Sequence, residues 1–535
     1  MRNRYAGNHD ANSQRPGFGS GAYESLEHYS GQEMKKRGLF CLALLLPFLP
    51  QDLVSQVHYF ENGRPWSQKA GSGPDAEVNG WFYNLGITGI RAELIAKDPK
   101  FLLVRHVFDG SPAAGKVRVG DLVVGANGRA FETPHRNGYG MKVFGPDGPL
   151  FDFAMALEKS QGNARNGRLD LDLQRKDEVL KVTLDVGTQH GTYGPNFPTD
   201  CAKSTRLLKG LLDYLLKTQR DDGSWGSPPH DTFAPLALLA SGDQKHIDFV
   251  RKNAKFHART TKAKDRSWLI NWRYMAAAIV MSEFYLATGE EWVLPELQEV
   301  YDFLISSQYV DMSQIDEKSR KTHPGAVPKD KMGAHGGWGH NPGFEGYGPI
   351  SMLTGQGALA FAMMKRCGIE VDRERHDKAY EFLGRSSGRN GYVWYADQAA
   401  GQDNWADMGR TGAAGIANAM SPYKDDRYLE RALAHAKVIG RHPESFPDTH
   451  GSPVMGMAYA ATAAHLDPAS FRRLMDKNKW WFVLSQCLDG TFYYQPNRDN
   501  AGYGADSRLS ASAVTAFILS LDKKSLCLSG KKPDR

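Results

Sequence analysis

From Ser204 to Leu521 the sequence alternates two kinds of helix-forming stretch, and that alternation constrains the fold more than any other feature. Leu207 to Gln219, Ile247 to Ala258, Trp292 to Gln308, Asp372 to Arg385, Tyr428 to Arg441 and Pro468 to Gln486 carry apolar residues at helical spacing. Each is followed by a stretch rich in Ala, Gly, Thr and Met: Phe233 to Ser241, Asn271 to Thr288, Ser351 to Arg366, Gly412 to Met420, Pro453 to His465 and Leu509 to Leu521. Small residues let helices crowd around a common axis, while helices with larger apolar residues wrap them from outside. The order predicts six hairpins closing into an all-α (α/α)6 toroid over residues 204–522, with 523–535 as a tail.

The turns inside the hairpins carry their own signature. QRDDGSWG (Gln219 to Gly226) recurs as GAHGGWGH from Gly333, GRNGYVWY from Gly388 and SQCLDGTFYY from Ser485. The glycines at 223, 336, 391 and 490 are 113, 55 and 99 residues apart, near multiples of a repeat of roughly 50 residues. Asp-Gly suits a tight turn and Trp225 suits packing between repeats, so the paired aspartates read as architecture before chemistry. With its Gln, Asp-Gly and Trp, this pattern resembles the α/α-toroid superfamily of terpenoid cyclases and protein prenyltransferases. The resemblance implies the fold. The superfamily's chemistry does not follow, because the Asp-x-Asp-Asp of cyclases, the Asp-x-Cys and His of the zinc transferases and the Cys-Gly-Glu-Gln of thioester proteins do not occur here.

At 535 residues the chain has room for more than one core. Residues 81–187 read as strands, with RLDLDLQRK and VLKVTLDV as paired alternations. Gly110-Ser111-Pro112-Ala113, Gly120-Asp121 before Leu122 to Ala126, and Asn127-Gly128 at a tight turn together resemble a PDZ domain. The resemblance implies that the backbone of Leu85, Gly86 and Ile87 holds a peptide's terminal carboxylate, with the helix from Phe151 to Gln161 as the other wall. The expected architecture is therefore multidomain α+β, a β-rich PDZ-like domain plus the toroid, with linkers at 57–80 and 188–203.

Residues 1–33 are polar and without pattern. Met34, then Lys35, Lys36 and Arg37, then the apolar run Leu39 to Leu49, has the order of a signal peptide over 34–56, so export to the periplasm or outside is expected. The run is too short for a stable transmembrane span, which takes roughly 20 apolar residues. A net charge of +6 without a basic block gives no nucleic-acid footprint. Five scattered cysteines form neither a disulfide framework nor a zinc knuckle, and no strong motif requires a cofactor.

If outer and inner helices alternate in direction, every outer-to-inner loop lies at one rim, together with the positive N-terminal ends of the inner helices. The loop GAHGGWGHN concentrates His335, Trp338, His340 and Asn341; His450, Asp407, Trp405 and Tyr503 fall on other rim loops. His335, His340, His450 and Asp407 are the candidate proton-transfer groups, and Trp338, Trp405, Tyr503 and Asn341 the candidate substrate contacts. Asp231, Asp407 and Asp506 also stand where helix N-caps are expected. No third metal ligand can be named beside the histidines. Two functions of different class fit: a carbohydrate-active lyase or hydrolase acting on an acidic glycan at the rim, or a non-catalytic scaffold that captures a protein C-terminus or extended peptide.

Overall fold

The computed structural model describes residues 60–61, 64–65, 81–94, 98–135, 147–262, 267, 269–399, 407–423, 425–447, 449, 453–493, 495 and 507–531. The basic and apolar segment read as a signal peptide lies outside them, as do His450, Trp405 and Tyr503. Among the described residues no helix is long and apolar enough to cross a membrane.

Two short strands, β1 (Phe60–Glu61) and β2 (Arg64–Pro65), pair with each other. The main sheet is antiparallel and runs β3 (Trp81–Asn84), β4 (Ile90–Leu94), β5 (Leu102–Val107), β6 (Leu122–Ala126), with β7 (Arg129–Ala130) paired beside β6, then β8 (Arg168–Arg175) and β9 (Glu178–Asp185). Alternation decides which face is buried: Leu169, Leu171 and Leu173 of β8 are fully buried while the residues between them are not. Helix α1 (Pro149–Ser160) lies between β7 and β8 in sequence and covers that face with Leu150, Phe153 and Leu157.

This domain has no open peptide groove at the expected place. Strand β4, which follows the Leu85-Gly86-Ile87 loop, is paired on both edges, by β3 and by β5, so it has no free ladder for an added strand. Leu85 and Ile87 are 0% and 1% exposed, and a Cβ on Gly86 would meet the carbonyl of Val483 at 2.6 Å. Val483 belongs to the toroid, which covers the loop. At the sheet edge the amide of Gln495 bonds both backbone groups of Asn84, at 3.0 Å each. The expected peptide site is therefore occupied by the chain itself, and the PDZ likeness does not extend to peptide capture.

The helical region gives the predicted six hairpins. The outer helices are α2 (Ala202–Thr218), α4 (Ile247–Thr260), α6 (Val293–Ser307), α9 (Arg373–Ser386), α11 (Asp426–Arg441) and α13 (Pro468–Lys477). The inner helices are α3 (Pro228–Ala240), α5 (Ile270–Thr288), α8 (Ser351–Arg366), α10 (Met408–Met420), α12 (Pro453–Ala464) and α15 (Ser507–Ser520). Packing runs from α3 through α5, α8, α10, α12 and α15 back to α3, which closes the ring. Small residues permit the closeness: a Cβ on Gly412 would lie 2.4 Å from the backbone of Tyr459. The sixth outer helix, expected to be continuous, breaks at Asn478, whose side chain bonds the carbonyls of Pro443 and Leu474 at 2.8 Å each, and resumes as α14 (Lys479–Ser485).

The turn signature is explained by hydrogen bonds and space. Gly223, Gly336 and Gly391 have φ of +90°, +89° and +89°. A Cβ at each would also strike a carbonyl oxygen of the following outer helix, at 2.4, 2.1 and 2.6 Å. Gln219 and Gln308 each bond the turn glycine's carbonyl and a carbonyl of that same following outer helix. Trp225 and Trp338 send their indole N–H back to Leu215 and Leu304 of the preceding helix. Each turn thus ties one repeat to the next.

Apolar side chains from all six inner helices, including Phe233, Ile279, Leu359 and Phe517, meet on the axis. At the C-terminal end of the inner helices, Leu528 joins them from the last segment, held there by Glu283, which accepts the amides of Cys527 and Leu528 at 3.1 and 2.8 Å. The opposite end carries the long loops, with α7 (Glu317–Thr322) among them.

Candidate functional site at the toroid rim

The rim is organised by one repeated bond. The residue two after each turn glycine donates its amide to a side chain near the start of an inner helix: Trp225 to Asp231, Trp338 to Thr354, Val393 to Thr411 and Phe492 to Ser512. Asp231 fills the same place as two threonines and a serine, which makes it a loop anchor. It also accepts Gly226 N–H and Asn253, and burial pushes its carboxyl up to about 6.

Two loop segments, 308–350 between α6 and α8 and 387–399 after α9, meet beside the first turn of α5 and build a polar aromatic cluster. Trp272 donates its indole N–H to His340 Nδ1 at 2.8 Å, with the rings stacked at 5.9 Å. His340 Nε2 bonds the hydroxyl of Tyr347, and Tyr395 bonds that same oxygen at 3.2 Å. His323 sits edge-on to Tyr347, with ring centres 6.1 Å apart. Arg410, at the start of α10, lies 5.6 Å from the Tyr395 ring and 5.8 Å from Trp394. Its guanidinium is held by Asp407 at 2.7 Å and by the Tyr392 hydroxyl at 2.8 Å. Trp272, His340, Tyr347 and Tyr395 are all part-exposed. Burial raises both phenols above the ordinary tyrosine range, Tyr395 the more strongly.

The sequence-predicted residues separate here. His340 and Asp407 belong to this one cluster, linked through the two tyrosines and Arg410. Asp407 is the residue before α10, yet its φ is +59° and its carboxylate makes no cap bond; it serves Arg410 instead. His335 lies against α9, near Lys378, Glu381 and Arg385. Its carbonyl takes Arg385 at 2.6 Å, and burial with the Lys378 and Arg385 charges lowers its imidazole pKa. Asn341 is 6% exposed and accepts the amide of Ile270, which starts α5. Trp338 is fully buried against Phe361 in the packing role of Trp225, so neither ring face is open to a ligand. Glycines of GAHGGWGHN serve close packing: a Cβ on Gly337 would lie 2.7 Å from Phe382, and one on Gly339 2.8 Å from the Gly348 carbonyl.

Sequence reasoning missed Trp272, Tyr347, Tyr395 and Arg410. Trp272 carried a signal, as a tryptophan in the first turn of an inner helix; Tyr347 in GYGP carried none. Among the described residues no group of three or more His, Cys, Asp or Glu could hold a metal ion.

The molecule is thus an (α/α)6 toroid with a sheet domain docked on it and a His, Tyr, Arg and Asp cluster at its rim. Residues 204–530 match the family described as "Domain of unknown function (DUF6288)", and the chain belongs to that family. No curated protein matches it. Among solved structures it is similar to an inactive variant of the α-1,6-mannanase GH76A of Salegentibacter sp. HEL1_6 in complex with α-1,6-mannotriose, at 11% identity over 60% of this chain and 99% of that one, with a TM-score of 0.43. A GH76 α-mannanase of Bacteroides thetaiotaomicron is similar at 12% identity, 61% and 97% coverage and a TM-score of 0.43. A family 88 glycosyl hydrolase from Bacteroides vulgatus is similar at 12%, 60% and 99%, with a TM-score of 0.41. Likeness at this level says nothing about activity. The terpenoid cyclase, prenyltransferase and PDZ resemblances find no support in these matches.

Proposed function

We propose that this chain is an exported enzyme that cleaves an acidic polysaccharide at the toroid rim by β-elimination. The observation that carries the reading is the hydrogen-bonded run Trp272, His340, Tyr347, Tyr395, part-exposed and next to Arg410. Elimination from a uronate needs a proton carrier beside the sugar's acidic carbon and a cation beside its carboxylate. The tyrosines and His340 are the proton-carrying groups of this reading, and Arg410, 7% exposed and paired with Asp407, is its cation beneath the rim. Inner helices α5, α8 and α10 start at this rim, and their N-terminal ends favour an anionic ligand. Trp272, Trp394 and Tyr395 are the part-exposed aromatic side chains this reading assigns to sugar contact.

The test is a panel of uronate-containing and neutral polysaccharides, read by the ultraviolet absorbance of the unsaturated uronate product. Wild-type protein is expected to generate that product from at least one uronan, and Arg410→Met to lose it. Turnover of neutral glycans alone, or of none, overturns the proposal.

A further inference from the structure

The hydrogen bonds at the rim fix where protons sit. An indole N–H can only donate, so His340 Nδ1, 2.8 Å from Trp272 Nε1, must accept. The proton of a neutral His340 is then on Nε2, the nitrogen facing the Tyr347 hydroxyl. Nε2 donates to that oxygen, and Tyr395 Oη–H donates to it as well, at 3.2 Å. Tyr347 therefore carries an oxygen with two donors aimed at it, the arrangement that stabilises a phenolate.

We infer that Tyr347 is the proton carrier of the rim site, and that Trp272 is a positioning residue acting on it through the tautomer of His340. Resting on the elimination reading above, the step is as follows. The Tyr347 phenolate takes the proton from C5 of a uronate. The C5–H electron pair becomes the C4–C5 double bond, and the C4–O4 bond breaks with its pair on O4. O4 then takes the proton back from Tyr347, which restores the phenolate. Nothing beyond the sugar chain is consumed.

Burial works against the phenolate, with the Tyr395 hydrogen bond opposing it. Among the described residues, the groups facing Tyr347 include His340 on its own loop, His323 after α7 and Tyr395 on the next loop, with Arg410 and Asp407 of the α10 start beyond Tyr395. Because the phenol is raised, its reactive form is the minor one at neutral pH. Activity is expected to climb about tenfold per pH unit on the acid side of that ionisation.

Two measurements test this. The first needs no substrate: nitrogen-15 NMR of histidine-labelled protein, with the signal assigned by His340→Gln. Wild type should show the Nε2–H tautomer, and Trp272→Phe should lose that preference, together with an upward shift of the Tyr347 titration followed by carbon-13 NMR of tyrosine-labelled protein. An Nδ1–H tautomer in wild type, or a Tyr347 titration indifferent to Trp272→Phe, overturns the inference whatever the substrate. The second is turnover of the uronan found in the panel. Tyr347→Phe should cut kcat by at least about a thousandfold with little change in KM, while Trp272→Phe should slow kcat less and move the rising pH limb upward. Full turnover by Tyr347→Phe overturns the proton-carrier role but leaves the elimination reading intact. Absence of turnover by wild type on every uronan, with the Nε2–H tautomer present, overturns the elimination reading and the C5 step with it.

Discussion

Replacing Lys203 by methionine probes the joint between the two domains. Lys203, on α2 of the toroid, is 0% exposed, and its ammonium bonds Glu158 Oε2 of the sheet domain's α1 at 2.6 Å. The same ammonium lies 4.3 Å from the centre of the Tyr193 ring. Glu158 Oε1 accepts the Tyr193 amide, so one carboxylate ties both domains and the segment between them. Lys203→Met keeps most of the stem but strands a nearly buried carboxylate. Breaking a buried pair by removing one partner costs about 3–5 kcal/mol, or roughly two to three and a half powers of ten in the folding equilibrium. The double variant Lys203→Met/Glu158→Gln leaves no buried charge and keeps an acceptor for the Tyr193 amide. It should recover most of the loss, with a coupling energy of about 2 kcal/mol or more. Guanidinium unfolding followed by far-UV circular dichroism measures the stabilities, and limited proteolysis within 187–201 reports opening of the joint. If Lys203→Met stays within about 0.5 kcal/mol of wild type, or the double variant is no better than the sum of the singles, the charge pair is not what holds the domains together.

Gly336→Ala combines a φ of +89° with a Cβ 2.1 Å from the Lys378 carbonyl, and should cost at least about 2 kcal/mol by thermal unfolding. An alanine variant as stable as wild type would show that the turn does not need glycine. Trp338→Phe should lower stability by about 1–3 kcal/mol, since the Leu304 carbonyl loses its partner, while folded variant keeps its ligand affinity; a selective loss of binding would return Trp338 to the site. Burial pushes Glu283 from 4.5 up to about 7. The folded state then holds the proton more tightly than the unfolded one. Its contribution to stability is full below about pH 4.5, falls as pH rises toward 7 and is flat above. The wild-type minus Glu283→Gln stability difference should follow that slope, on the order of 3 kcal/mol across the window. A difference independent of pH refutes it.

Much of the toroid is legible along the chain because its determinants are local. An apolar stripe at helical spacing marks an outer helix wherever it packs, and Gln, Asp-Gly and Trp at fixed offsets mark a turn because their bonds stay within neighbouring segments. Thus Gln219, Gly223 and Trp225 announce the repeat, and Asp231 announces a loop anchor once Thr354, Thr411 and Ser512 are seen in its place. The break at Asn478 was hidden, because its reason is the carbonyl of Pro443, on another hairpin.

The site depended on contacts between loops far apart in sequence. GAHGGWGHN places two histidines five residues apart, and only packing turned His335 toward α9 and His340 toward α5. Tyr347 and Tyr395 meet across 48 residues, a pairing that no local pattern encodes. The Leu85-Gly86-Ile87 loop shows the converse: its sequence suggests an anion-binding turn, but the toroid's α14 covers it and β3 occupies the edge a peptide would need. Local sequence determined the helices, turns and repeat of this protein because the apolar period and the Gln, Asp-Gly and Trp turn chemistry recur along the chain itself. Tertiary structure decided which polar side chains share the rim and which surfaces remain open, because those depend on groups brought together only when the ring closes.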